Sequence, residues 1–223
     1  QQAFGKLRKL VLDALRAAPA PARHRDAGRQ REPWWRQFSS PDFEEELARH
    51  GTTFVGRTWL FERIREWLER KDSRLLLLTG EPGIGKSAIA AQLTARFNVR
   101  GYHFCSRALV ESCRPSTWLC TVISQLAAQF DAYRREIEEY HPPNWGDPPE
   151  SLFRRLIVDP LRRCKGALVI DEPWIFVVDG LDESVAFAGP GLAELLASSV
   201  ECLPDWFRLV VTTRPDHDLL ARF

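Results

Sequence analysis

The sequence predicts an α/β fold in which a parallel sheet is covered by helices on both faces. Three observations carry this expectation. A short apolar run, Arg74 to Thr79, leads into a glycine-rich loop and then a helical stretch, Ala88 to Phe97. A second apolar run, Trp174 to Val178, ends in Asp179, and a third, Phe207 to Thr213, ends in Arg214-Pro215. Continuous apolar runs of this length suit strands buried on both faces, and strands alternating with helices suit a parallel sheet.

Taken in order, residues 4–17 place Phe4, Leu7, Val11, Ala14 and Leu15 at helical spacing, with Lys6, Arg8, Lys9 and Arg16 around them. Ala18 to Pro21 break that helix, and 22–32 read as a polar, basic linker. Arg23, Arg25, Arg29 and Arg31 near Trp34 and Trp35 have the composition of a nucleic-acid patch, diluted by Asp26 and Glu32. The preferred reading is a solvated linker followed by two packing tryptophans. Residues 1–48 are thus expected to form an N-terminal amphipathic helix and linker, and 49–223 the main domain. After Phe54-Val55-Gly56-Arg57 comes a helix with Leu60, Ile64, Trp67 and Leu68 on its apolar face. A strand is expected over 101–105 and a helix over 116–130, with the charged residues 134–139 as a candidate extension. His141 to Pro149 is a proline-rich loop, and 150–163 form a helix with Leu152, Phe153, Leu156, Ile157 and Leu161 inward. Further helices are expected near 190–202 and over 217–222, the last capped by Asp216. No internal repeat is present.

The loop Gly80-Glu81-Pro82-Gly83-Ile84-Gly85-Lys86-Ser87 fits the pattern G-x-x-x-x-G-K-[ST]. Wrapping a nucleotide's phosphates in backbone N–H groups requires a very close approach of the chain, which glycine permits. The helix that follows points free N–H groups and its positive end at the anion. Lys86 adds a charge near the outer phosphates, and the Ser87 hydroxyl suits Mg²⁺. The acids after the second strand, Asp179, Asp182 and Glu183, would then line the same crevice, because ligands of parallel sheets sit at the carboxyl ends of the strands.

Composition sets outer bounds. The 223 residues are 44% hydrophobic and 27% charged, ordinary for a globular domain plus an appendage. A net charge of +1 gives no global case for nucleic acid or membrane. No apolar run reaches membrane-spanning length and no signal-peptide pattern is visible. There is no methionine, so the chain is expected to be a segment of a longer protein. The five cysteines are odd in number and form no C-x-x-C, which argues for a reducing compartment. His103, Cys105, Cys113 and Cys120 fit no common zinc spacing and are read as buried structural residues.

Three motifs stand in order: the phosphate-binding loop, the apolar strand ending in Asp179-Gly180-Leu181-Asp182-Glu183, and the strand ending in Thr212-Thr213-Arg214-Pro215. Together they resemble the NACHT group of the signal-transduction ATPases with numerous domains, in particular modules attached to ankyrin, WD40 or tetratricopeptide repeats. Phe54-Val55-Gly56-Arg57, His103-Phe104-Cys105 and Leu203-Pro204 support the likeness, which covers about Thr53 to Phe223.

The resemblance implies a three-layer P-loop NTPase with strand order 5-1-4-3-2, whose fifth strand and closing domains would lie beyond this segment. It implies that Gly80 to Ser87, with Ala88, hold the phosphates of ATP or ADP, and that Ser87 and Asp179 serve Mg²⁺. Val55, Gly56 and Arg57 would lie at the adenine. Gly180 stands where many ATPases carry a catalytic glutamate, so Asp182 and Glu183 become the catalytic candidates, with the choice between them open. Arg214 would report the γ-phosphate. The implied function is a cytoplasmic signalling switch, possible in defence or cell death. In it, ADP/ATP exchange controls self-association, slow hydrolysis resets the state, and sensor repeats and an effector domain lie outside this chain. The alternatives are an AAA+-like ATPase acting on nucleic acid, disfavoured by the near-neutral charge, and a nucleotide-binding scaffold that never hydrolyses.

Overall fold

The computed structural model describes residues 33–36, 56–70, 72–140, 143–186 and 191–223. The helix expected over 4–17, the basic linker and Val55 lie outside the described residues. The regular elements are α1 (Thr58–Glu69), β1 (Leu75–Thr79), α2 (Lys86–Arg96), β2 (Val99–Phe104), α3 (Pro115–Gln129) and α4 (Asp131–Glu138). They continue with α5 (Pro149–Phe153), a π-helical turn (Arg154–Val158), α6 (Asp159–Cys164), β3 (Trp174–Asp179), α7 (Leu192–Ser199), β4 (Phe207–Thr213) and α8 (His217–Leu220). Among the described residues no helix is long and apolar enough to cross a membrane.

The fold is α/β, with a four-stranded parallel sheet in the order β1-β4-β3-β2 and helices on both faces. This is the 1-4-3-2 part of the expected order. Side chains alternate across a strand, so β3 supplies both cores. Ile175 and Val177, with Val210, pack under Phe61, Ile64 and Trp67 of α1 and Ile89, Ala90 and Leu93 of α2. Trp174, Phe176 and Val178 face the larger core, with Trp118, Leu119 and Val122 of α3 and Leu156, Ile157 and Leu161 of the π turn and α6. Trp34 and Trp35 are buried in this larger core as well, ring centroids 5.3 Å apart and edge to face. Gly101 on β2 is required by packing: a Cβ there would lie 2.0 Å from the Phe176 ring.

The outer edge of β2 is satisfied by side chains of α3. Gln125 of α3 accepts from the Tyr102 N–H at 2.9 Å and donates to the Tyr102 carbonyl at 3.0 Å, and Gln129 donates to the Arg100 carbonyl at 2.6 Å. Such capping blunts an edge that would otherwise template pairing with another chain.

The helix expected over 116–130 ends at Gln129, and the candidate extension over 134–139 belongs to a separate helix, α4. Phe130 leaves helical geometry at φ −128°, ψ 104°, and its ring stacks on Trp174 with centroids 4.2 Å apart. That aromatic contact displaces the continuous helix. The helix expected over 150–163 contains a π turn. Pro160 has no N–H to give the Leu156 carbonyl, the ordinary partner four residues back. The buried Tyr133 hydroxyl donates to that carbonyl at 2.7 Å. The last helix is one turn, and the expected cap is present: Asp216 Oδ1 accepts from the Leu219 N–H at 2.9 Å.

Tyr133→Phe removes this buried hydroxyl donor with little change of shape and should lower stability by about 1–3 kcal/mol. Urea unfolding should show a lower midpoint with an unchanged slope. An unchanged midpoint would mean that the hydroxyl is not what supports the π turn.

Candidate functional site

The register of the parallel strands sets the site. Thr79 pairs with Thr213, Leu78 with Thr212, and Val178 with Val211, so Asp179 follows at the level of Thr212. With strands about 4.8 Å apart, the ends of β1 and β3 are separated by roughly 10 Å, with β4 between them.

The loop after β1 begins tied to β4, the Gly80 N–H donating to the Thr213 carbonyl at 3.2 Å. It turns through Gly83 (φ 76°) and Gly85 (φ 93°), a left-handed conformation that disfavours other residues. A Cβ at Gly83 would meet nothing within 4 Å. Gly85 is the N-cap of α2 and offers no capping side chain to the first-turn N–H groups. Loop and helix start therefore form a cradle of backbone donors that suits phosphate oxygens.

Two cations bracket this cradle. Lys86 Nζ donates to the Gly80 carbonyl at 2.6 Å and the Glu81 carbonyl at 3.1 Å. The Arg57 guanidinium donates to the Ile84 carbonyl. Arg57 has φ 57°, the one positive value at a non-glycine position among the described residues, and it follows Gly56 at φ 88°. That left-handed pair turns the chain so that Arg57 reaches the glycine-rich loop, a contact that spacing alone does not reveal. Ser87 and Ala88 lie in the first turn of α2, and Glu81, Pro82 and Ile84 are exposed on the loop.

Asp179 closes β3 and is buried. The Thr212 hydroxyl of β4 donates to Asp179 Oδ1, and the Gly180 N–H donates to the Thr212 Oγ1 at 3.0 Å. Thr212 thus fixes the carboxylate and the turn behind it. Its sequence clue is a hydroxyl residue at the end of an otherwise apolar strand. Gly180 has φ 74°, and a Cβ there would stand 3.0 Å from the Cys105 carbonyl.

The displaced acids point to different partners. Asp182 is 9% exposed; its Oδ1 accepts from the Arg214 N–H at 3.1 Å, and Oδ2 lies 2.9 Å from Arg214 Nε. The second contact is ionic rather than a linear hydrogen bond. Glu183 Oε2 accepts from the Arg107 N–H at 2.7 Å, in the loop after β2. Asp182 and Arg214 are brought together, whereas Glu183 is held toward Arg107.

Among the described residues no group of three or more His, Cys, Asp or Glu is placed to hold a metal. His103 is buried, with Nε2 2.6 Å from the Ser112 carbonyl and Nδ1 3.3 Å from Thr121 Oγ1. It sits in a hydrogen-bond network of the core.

These features define a P-loop-like three-layer α/β domain. A family model described as nephrocystin 3, N-terminal, matches residues 56–214, and the chain belongs to that family. No curated protein matches the chain.

Burial pushes the His103 imidazole down to about 4, below its ordinary 6.5. The unfolded chain therefore binds the proton more readily. The stability His103 contributes is complete above pH 6.5 and is lost as pH falls toward 4, by up to about 3 kcal/mol. Denaturation at several pH values should show this loss in the native sequence and a shallower acid dependence in His103→Gln. Equal acid dependence in both would place the cause elsewhere.

Proposed function

We propose that the domain is an ATP-operated signalling switch of NACHT type, in which exchange of ADP for ATP controls self-association. The observation that carries this reading is the glycine cradle at the carboxyl edge of the sheet, bracketed by Lys86 and Arg57, with Asp179 on the next strand but one.

In this reading the backbone N–H groups from Gly83 to Ser87 bind the phosphates. Lys86 exchanges its loop carbonyls for phosphate oxygens, so the charge is already in place before ligand arrives. Ser87 and Asp179 would hold Mg²⁺, which supplies charge neutralisation across the β- and γ-phosphates. Thr212 keeps the Asp179 carboxylate oriented. Gly56 and Arg57 flank the nucleotide, and Arg57 is close enough to the loop to act on phosphate as well as base. Arg214, clamped by Asp182, reports the γ-phosphate and couples it to domain position. Glu183 is the candidate for positioning the attacking water, and hydrolysis is slow. Sensor and effector regions outside this chain supply trigger and output. Five free thiols support a reducing, cytoplasmic setting.

A second reading, a nucleotide-binding scaffold that does not hydrolyse, is favoured by one observation: both Asp182 and Glu183 are already engaged, with Arg214 and Arg107 respectively.

Lys86→Ala should weaken fluorescent ATP binding about ten- to a hundredfold, the loss of one charge-assisted contact. Unchanged affinity would remove the loop from consideration as the site.

Asp179→Asn should weaken Mg²⁺-dependent binding. Glu183→Gln keeps an acceptor for the Arg107 N–H, so it should leave binding intact, slow single-turnover cleavage and accumulate the associated form. If Glu183→Gln and Asp182→Asn both cleave at the native rate, the scaffold reading replaces the switch.

A further inference from the structure

The opposite edge of the sheet carries a second basic concavity, a cleft of about 300 Å³ lined by Arg74, Arg162, Lys165, Asp205 and Trp206, among others. Arg74 immediately precedes β1 and Trp206 immediately precedes β4, so the cleft lies at the amino ends of the strands. The phosphate-binding loop is a five-residue strand away, about 17 Å. The volume is at the small end of ligand sites.

The charges here are not balanced. Arg74, Arg162 and Lys165 line the cleft, and Arg208 lies behind it at 3% exposure. The nearby carboxylates are at the rim: Glu201, 73% exposed, meets Arg74 at 2.7 Å, and Asp205, 78% exposed, stands 3.9 Å from Lys165. Four cations stand against these two rim carboxylates, with Asp72 also acting on Arg208, so the cleft keeps a positive excess. Exposed pairs of this kind hold weakly and are readily exchanged.

The donors are also under-used. Arg162 spends one N–H on the Cys202 carbonyl at 2.9 Å. Lys165 Nζ rests 4.5 Å over the Trp206 ring. Arg74 Nε, Arg208 Nε and Trp206 Nε1 are buried and make no hydrogen bond among the described residues. Arg208 is held by the carbonyls of Asp205, Phe207 and Arg70 at 2.7, 3.0 and 3.1 Å. Burial, and then the neighbouring Arg74 charge, pull its affinity for the proton below the ordinary value. Like charges gathered around a concavity with spare donors are costly without an anion to share.

We propose that this cleft binds a small phosphate-bearing anion of at least two negative charges, held by Arg74, Arg162 and Lys165 beside Trp206. Phosphate is favoured over carboxylate because the guanidinium forks match its oxygens in pairs and because two carboxylates are already present without neutralising the cleft. The site is separate from the proposed nucleotide site and does not depend on that reading.

The test is calorimetric titration of the full chain with inositol trisphosphate and, separately, with inorganic phosphate. A parallel co-sedimentation uses phosphatidylcholine vesicles carrying phosphatidylinositol bisphosphate. Saturable binding that weakens with added salt is expected. Combining Arg162→Gln with Lys165→Gln should weaken it at least about tenfold, and Lys165→Gln alone should weaken it measurably in a chain with unaltered melting. Lys86→Ala should leave it unchanged. Binding of the free probes assigns a soluble ligand, and binding of vesicles alone assigns a lipid headgroup; either supports the site. Absence of binding by every probe, native affinity in both glutamine variants, or loss confined to Lys86→Ala would overturn the proposal. The last outcome would place the anion in the phosphate-binding loop, and nucleotide titration of the same variant reports on that loop independently.

Discussion

The parallel register of β1, β4 and β3 is the constraint on which the rest of the structure depends. Thr79 opposite Thr213, and Val178 opposite Val211, bring Gly80, Arg214 and Asp179 to one edge. A slip of one residue would turn Ile175 and Val177 away from α1 and α2 and would carry Asp179 to the other face. Hydrophobic burial therefore fixes the site: the same apolar side chains that hold the layers together set where the polar strand ends emerge. The Gly80 N–H on the Thr213 carbonyl carries that register into the loop itself.

At the ends of β3 and β4 the polar residues are joined in pairs across the strand boundary. Thr212 holds Asp179, and Asp182 holds Arg214 by both its backbone and its side chain. A buried carboxylate without such partners would be costly. The consequence is mechanical coupling: the turn after β3 and the segment after β4 cannot shift independently while these contacts persist. In the proposed switch, a change in how Arg214 is engaged would be felt directly at Asp182 and hence along Leu181–Ala186. The loop cations are arranged differently. Lys86 and Arg57 rest on loop carbonyls, contacts that phosphate oxygens can replace without moving the backbone.

Much of this architecture was legible in the residues. The runs at β1, β3 and β4 are apolar because those strands are covered on both faces, and Gly83 and Gly85 of the loop stand where the backbone takes positive φ. Three features were not legible, each for the same reason: they depend on partners distant in the chain. Phe130 interrupts the helical pattern because Trp174, forty-odd residues on, receives its ring. The π turn at Arg154–Val158 is supported by Tyr133, which belongs to another helix. The separate partners of Asp182 and Glu183 follow from how the loops after β2 and β4 pass the turn after β3, which adjacency in sequence does not encode. Thr212 was visible as part of a motif, but its role depends on lying level with Asp179, which is a statement about register. Arg57 carried a clue in the Gly56 before it, yet its reach to the loop rests on the left-handed turn of both residues.

Hydrogen–deuterium exchange of the full chain with and without Mg²⁺-ATP tests the central claim most directly, because it reads the backbone donors on which the proposed site is built. The account predicts slowed exchange concentrated in Gly80 to Ala88, with a smaller effect at Asp179 to Glu183 and Thr212 to Arg214, and none at the amino ends of the strands. Unchanged exchange across the loop, or protection confined to the opposite edge of the sheet, would contradict it.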